Sequence, residues 1–170
     1  FDMKAEYSFT PSDWGTFNTR LNATVYTDYL FTDKKGNPVD VLGKQNARTN
    51  IAPPIPKTKL AWTNNWFRNN HSASMSVSWF SAVDHDAQIV DLYKFDGQFV
   101  PPSEIDEDPI IDVRYSYFME DFFNSAVTLS AGVNNLLDYK PTLTGQIGGF
   151  ESRLINNFYR QFYVSIDFTP

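Results

Sequence analysis

Over its first ten residues the chain changes character at every step. Phe1, Met3, Ala5, Tyr7 and Phe9 alternate with Asp2, Lys4, Glu6, Ser8 and Thr10. Side chains on a strand point to opposite faces with period two, so this segment has one apolar face and one charged or hydroxylic face. The alternation returns along the chain. Phe17, Thr19, Leu21, Ala23 and Val25 alternate with Asn18, Arg20, Asn22 and Thr24, in a strand expected to run on to about Phe31. Lys57–Trp66 carries Leu60 and Trp62 on one phase. Ser72–Val83 sets Ala73, Met75, Val77 and Trp79 against serines. Ile110–Met119, Ser125–Leu136 and Phe158–Phe168 repeat the pattern, for about seven strands and no convincing helix. Asn64 falls on the apolar phase of the third segment, which predicts a bulge near Asn64 and Asn65 or a place close to a membrane edge.

The connections narrow the choice further. Pro11–Gly15, Phe67–His71 and Glu120–Asn124 are short, whereas Asp33–Pro56, Asp84–Pro109 and Asp138–Asn157 each run to roughly twenty residues or more. Strict short–long alternation is the wiring of an outer-membrane barrel, with tight periplasmic turns and long extracellular loops. Trp14, Trp66, Phe67, Phe122 and Phe123 lie at or beside the short turns, where an interfacial aromatic girdle is expected. The expected fold is therefore all-β: an antiparallel transmembrane β-barrel segment of about seven strands. Seven strands leave two open edges, which hydrocarbon does not tolerate, so the segment is expected to belong to a larger barrel.

Composition excludes several alternatives. No run approaches the roughly 18 apolar residues of a membrane helix. A chain without cysteine builds neither a disulfide framework nor a thiolate metal site. A net charge of -6 argues against a nucleic-acid partner. The chain opens at Phe1 without a charged n-region or apolar h-region, so any targeting signal is expected to have been removed or to lie outside it.

The C-terminal half carries a specific likeness. Gly132–Pro141, GVNNLLDYKP, closes an apolar strand with Asn-Asn-Leu-Leu-Asp and a proline. It resembles the segment before the last extracellular loop of TonB-dependent outer-membrane receptors. Tyr159–Phe168, YRQFYVSIDF, is similar to that family's final strand, and Ile51–Trp66 resembles the Pro-rich approach to an earlier downward strand. Tyr159 stands where the family often has glycine, and either Phe168 is the terminal aromatic that the assembly machinery reads or the true end has been lost. The resemblance implies a 22-stranded barrel in the bacterial outer membrane, of which these would be the last seven strands. It further implies an N-terminal plug upstream of this chain and import of a ferric siderophore, cobalamin or oligosaccharide driven by the TonB complex. Outer-membrane lipid is the implied surroundings, with a lipoprotein as a further partner. The rival readings are a passive porin-like channel, which lacks a plug, and a soluble β-sandwich carbohydrate-binding module.

Candidate ligand contacts lie in the long loops. Asp84, His85 and Asp86 offer imidazole and carboxylates to a cation or ligand, although a tripeptide at a loop start also reads as solvated surface. Tyr93, Phe95 and Phe99 offer rigid aromatic faces to a siderophore or sugar, or pack the loop on its neighbours. The acidic run Glu104, Asp106, Glu107 and Asp108 reads as solvated surface. Gly145, Gly148 and Gly149 lack the lysine and the strand–loop–helix context of a phosphate loop. Lys4, Glu6, Arg20, Arg114 and Asp167 are expected on the polar, lumen-facing side. No catalytic constellation, metal site or cofactor site emerges, and no enzyme is expected.

Overall fold

The computed structural model describes residues 1–46, 52–86, 100–105, 109–120, 122, 125–144, 149–154 and 159–169. The alternating segments form strands β1 (Asp2–Phe9), β2 (Thr16–Val25), β5 (Thr58–Arg68), β6 (His71–Phe80), β9 (Ile110–Met119), β10 (Ala126–Asn134) and β11 (Gln161–Thr169). They join in one antiparallel sheet in the order β1-β2-β5-β6-β9-β10-β11, each strand beside its sequence neighbour in the sheet. Two small hairpins sit in the long connections: β3 (Leu30–Thr32) with β4 (Pro38–Asp40), and β7 (Val83–Asp84) with β8 (Glu104–Ile105). The fold is all-β. β1 and β11 do not pair with each other, so the sheet is open.

A meander puts its odd connections at one end and its even ones at the other. The three short turns therefore share one end of the sheet, and the three long connections share the opposite end. The turn before β2 contains a single 3-10 turn, Ser12–Trp14, and Gly15 with φ of 94°. A Cβ on Gly15 would lie 2.3 Å from the Phe67 carbonyl oxygen, so only glycine closes this turn. Asn69 bends the β5–β6 hairpin at φ 49°, a conformation that asparagine tolerates.

Register gives each face its chemistry. Met3, Ala23, Leu60 and Trp79 fall in one transverse row; Ala5, Leu21, Trp62, Val77 and Ile111 form the next. Farther along, Val113, Val133 and Phe162 share the face, as do Tyr115, Ala131 and Val164. The opposite face carries Lys4, Glu6, Arg20, Asn65, Ser74, Arg114 and Asp167, so the expected polar-side residues share one side. Among the described residues no second layer covers either face, and Phe162 and Val164 stand more than three-quarters exposed. Buried apolar side chains gather instead in the long connections, with Phe80 and Val127 as the sheet's own contributions.

Several expectations need correction. β2 stops at Val25, because its partners end there: Val25 faces Thr58 at the start of β5, and its amide bonds to the Phe1 carbonyl. Leu30 and Phe31 belong to the separate β3–β4 hairpin. Val83 likewise leaves β6 for the β7–β8 pair, and β10 ends at Asn134 because Asn135 turns at φ 52°. The sheet strands are 8 to 11 residues long; β9 keeps the bounds read from sequence and β5 runs on to Arg68, while the other five are shorter than their segments. No bulge interrupts β5 at Asn64, which pairs in regular register with Thr19 and Met75. Its neighbour Thr19 is satisfied by Trp62 Nε1 at 2.9 Å, while Asn64 Nδ2 is buried without a partner among the described residues. Phe67 lies on the polar face opposite Thr16 and Ser72, away from the apolar side where a girdle would project. Trp66 is on that side, and its Nε1 donates to the Trp14 carbonyl at 2.7 Å. Phe123 lies outside the described residues.

Candidate functional site

The long connections carry two apolar clusters at their end of the sheet, one within the first connection and one joining the middle and last. Val41, Leu42, Ala52 and Ile55 pack together under Tyr26 and Val39. Phe80, Val83 and Ile105 pack with Tyr139, Phe150 and Leu154, which draws the last connection onto the middle one. Isolated bridges pair Leu42 with Ile55 and Lys44 with Asp84. These loops therefore have a small core of their own.

A buried polar network fastens them. Gln45 and Glu151 are wholly buried although they come from the first and last connections. Gln45 Nε2 donates to Glu151 Oε2 at 3.2 Å, and Gln45 Oε1 accepts from the Asp86 amide at 3.1 Å. The Gln45 amide donates to the Asp84 carbonyl at 2.9 Å. One side-chain amide thus reaches all three connections. Arg153 grips Glu151 with two nitrogens, Nε to Oε1 at 2.7 Å and Nη2 to Oε2 at 2.9 Å, a paired geometry that adds both strength and direction. Burial pushes the Glu151 carboxyl up, but hydrogen bonds from the Arg153 and Gln45 side chains and the Arg153 amide outweigh it. The carboxyl is held below the usual glutamate range.

Asp84, His85 and Asp86 occupy the middle of this assembly without converging. Asp84 lies in β7, exposed, with its backbone tied to Gly43 and Gln45. His85 points inward and is 5% exposed. Its Nδ1 lies 2.9 Å from the Pro102 carbonyl, which only accepts, so Nδ1 is the donor. Nε2 is buried with no partner among the described residues. Among the described residues, no group of three His, Asp or Glu side chains is placed to hold a metal ion.

Tyr93, Phe95 and Phe99 lie outside the described residues, as do Asp106, Glu107, Asp108, Gly145 and Gly148. Glu104 is exposed in β8. Sequence reasoning singled out none of Gln45, Glu151 and Arg153. Each is a lone polar residue in a polar loop, and 106 residues separate Gln45 from Glu151, so no local pattern marks them. Chemically, the assembly presents a fixed, hydrogen-bonded platform at one end of the sheet, with a buried imidazole inside it.

Comparison with protein-family models, with curated proteins and with solved structures finds no match to this chain.

Proposed function

We propose that this chain is the C-terminal part of the barrel wall of a TonB-dependent outer-membrane receptor that captures a scarce solute on its long loops. The observation that carries this reading is the division of the sheet. A largely apolar face, interrupted at Thr19 and Asn64, runs across seven strands with nothing over it among the described residues, and a polar face lies behind it. Strands of 8 to 11 residues match the roughly 9–11 that a tilted strand needs to cross a bilayer. Lipid would cover the apolar face, and further strands would pair with the open edges of β1 and β11. The polar face would then line the lumen against a plug from elsewhere in the protein. The long connections would stand outside the cell, where their shared core holds a ligand-capturing surface for a siderophore, cobalamin or oligosaccharide, with or without a lipoprotein above it. A soluble sandwich module would instead place a second sheet against the apolar face.

The native protein tests this. Outer-membrane extracts should contain a heat-modifiable polypeptide several times heavier than 19.5 kDa, with a globular plug upstream. Solute uptake should stop when the inner membrane is de-energised. Recovery as a soluble monomer sinks the reading, and plug-free, energy-independent uptake replaces it with a passive channel.

A further inference from the structure

The polar face holds one guanidinium clear of any acid. Arg114 in β9 stands between Ser74 of β6 and Gly132 of β10. Its Nη2 donates to Ser130 Oγ at 2.8 Å, and that hydroxyl lies 2.9 Å from Ser116 Oγ. Ser130 is 3% exposed, so the anchor is fixed while the rest of the guanidinium faces outward. Arg20 on the same face is neutralised by Glu6, and Arg153 in the last connection by Glu151. Among the described residues Arg114 has no carboxylate partner. The nearest candidate along β9, Asp112, turns Oδ1 to the Asn135 amide at 2.8 Å.

Beside Arg114 is a recess of about 310 Å³ lined by Asn65, Phe67, Ser72, Ser74 and Thr128 together with Ser116. Its hydroxyls and amide can donate hydrogen bonds, and among the described residues no carboxylate lines it. We propose that this recess is an anion-binding subsite, taking the carboxylate or phosphate of a small solute on Arg114. A guanidinium has five N–H donors in a planar fork suited to two oxygens, and Ser130 occupies one of them. The remaining donors are free for an anion, whose other oxygens meet the serine hydroxyls. A cation finds only positive charge there. The subsite does not depend on the membrane reading, because it stands on the polar face whatever covers the other. If that face lines a lumen, the subsite lies on the solute's path.

Arginine-specific labelling of the full-length protein with phenylglyoxal, read peptide by peptide in a mass spectrometer, tests it with inorganic phosphate and acetate as probes. Either anion should slow labelling of Arg114 well beyond an equal ionic strength of sodium chloride, and leave Arg20 unchanged. Protection by phosphate alone, or by acetate alone, identifies which oxygen acid the site takes. Ser130→Ala, which frees the fork to swing, should raise the anion concentration needed for protection by roughly tenfold, as loss of a charge-assisted hydrogen bond implies. The proposal is overturned if neither anion protects Arg114, if chloride protects equally, or if Arg20 and Arg114 respond in parallel.

Discussion

At Gly132 a missing side chain decides how two strands fit. Gly132 is the cross-strand partner of both Arg114 and Tyr163, and the Tyr163 phenol lies where a β-carbon would be. A Cβ there would stand 2.5 Å from both Cζ and the hydroxyl oxygen of Tyr163. The ring covers backbone that glycine leaves bare, a pairing in which an aromatic compensates for glycine in a strand. Alanine at this position normally gains about 0.5–1 kcal/mol from lost unfolded-state freedom. Displacing a ring costs about 1–3 kcal/mol, so the clash wins. Gly132→Ala should therefore destabilise by about 1–2 kcal/mol in denaturant unfolding of the full-length protein. Combined with Tyr163→Ala, the loss should be smaller than the sum, because the second change removes the obstacle. Strict additivity would mean that the ring does not lie over Gly132 in solution.

The strands and the loops differ in how far the chain alone reveals them. Period-two alternation marks β1, β6, β9 and β11 because each has one polar and one apolar side, and that pattern is local. It overran β2 because Tyr29 and Phe31 keep the apolar phase after the neighbouring strands have ended. Pairing, which ends a strand, is not written in the strand's own residues. Asn64 shows the converse: it sits on the apolar phase, yet the backbone needs no bulge to carry it. The platform of long connections was legible only as length. Its fastening depends on Gln45, Asp86, Glu151 and Arg153 meeting across the chain. That fastening has a pH signature. A carboxyl held below its ordinary value stabilises the fold above the unfolded pKa, about 4.3 for glutamate, and the contribution is lost as pH falls through the lower folded value. Protection of the Gln45 and Asp86 amides from hydrogen exchange should therefore hold near neutrality and fail in acid below the usual glutamate range. Glu151→Ala should remove it at every pH, costing the loop assembly roughly 2–3 kcal/mol while the seven-stranded sheet keeps its protection. Equal loss in sheet and loops would show that the platform is not a separate unit.

At the scale of the whole molecule, what covers the apolar face determines what its residues are worth. Trp62 and Leu129 each stand more than a third exposed, and Ile166 and Phe168 more than half. A sheet with this much apolar surface uncovered is an aggregation hazard in water but a natural wall in lipid. Val77 and Ser76 are adjacent in the middle of β6, and register sends them to opposite sides. Val77 lies between Trp62 and Ile111, while Ser76 lies between Thr63 and Asp112. A lysine at each position gives the same change in charge on the same strand. If lipid lies against Val77, Val77→Lys should reduce the stability of the full-length protein folded into phospholipid vesicles by about 2–4 kcal/mol. Ser76→Lys meets water and the Asp112 carboxylate, and should change it by less than about 1 kcal/mol. If the apolar face were wet, both changes would fall within about 0.5 kcal/mol, as surface substitutions do. The difference between two neighbouring residues thus reports the environment of the whole face, and a larger penalty at Ser76 would place lipid on the wrong side and overturn the barrel reading.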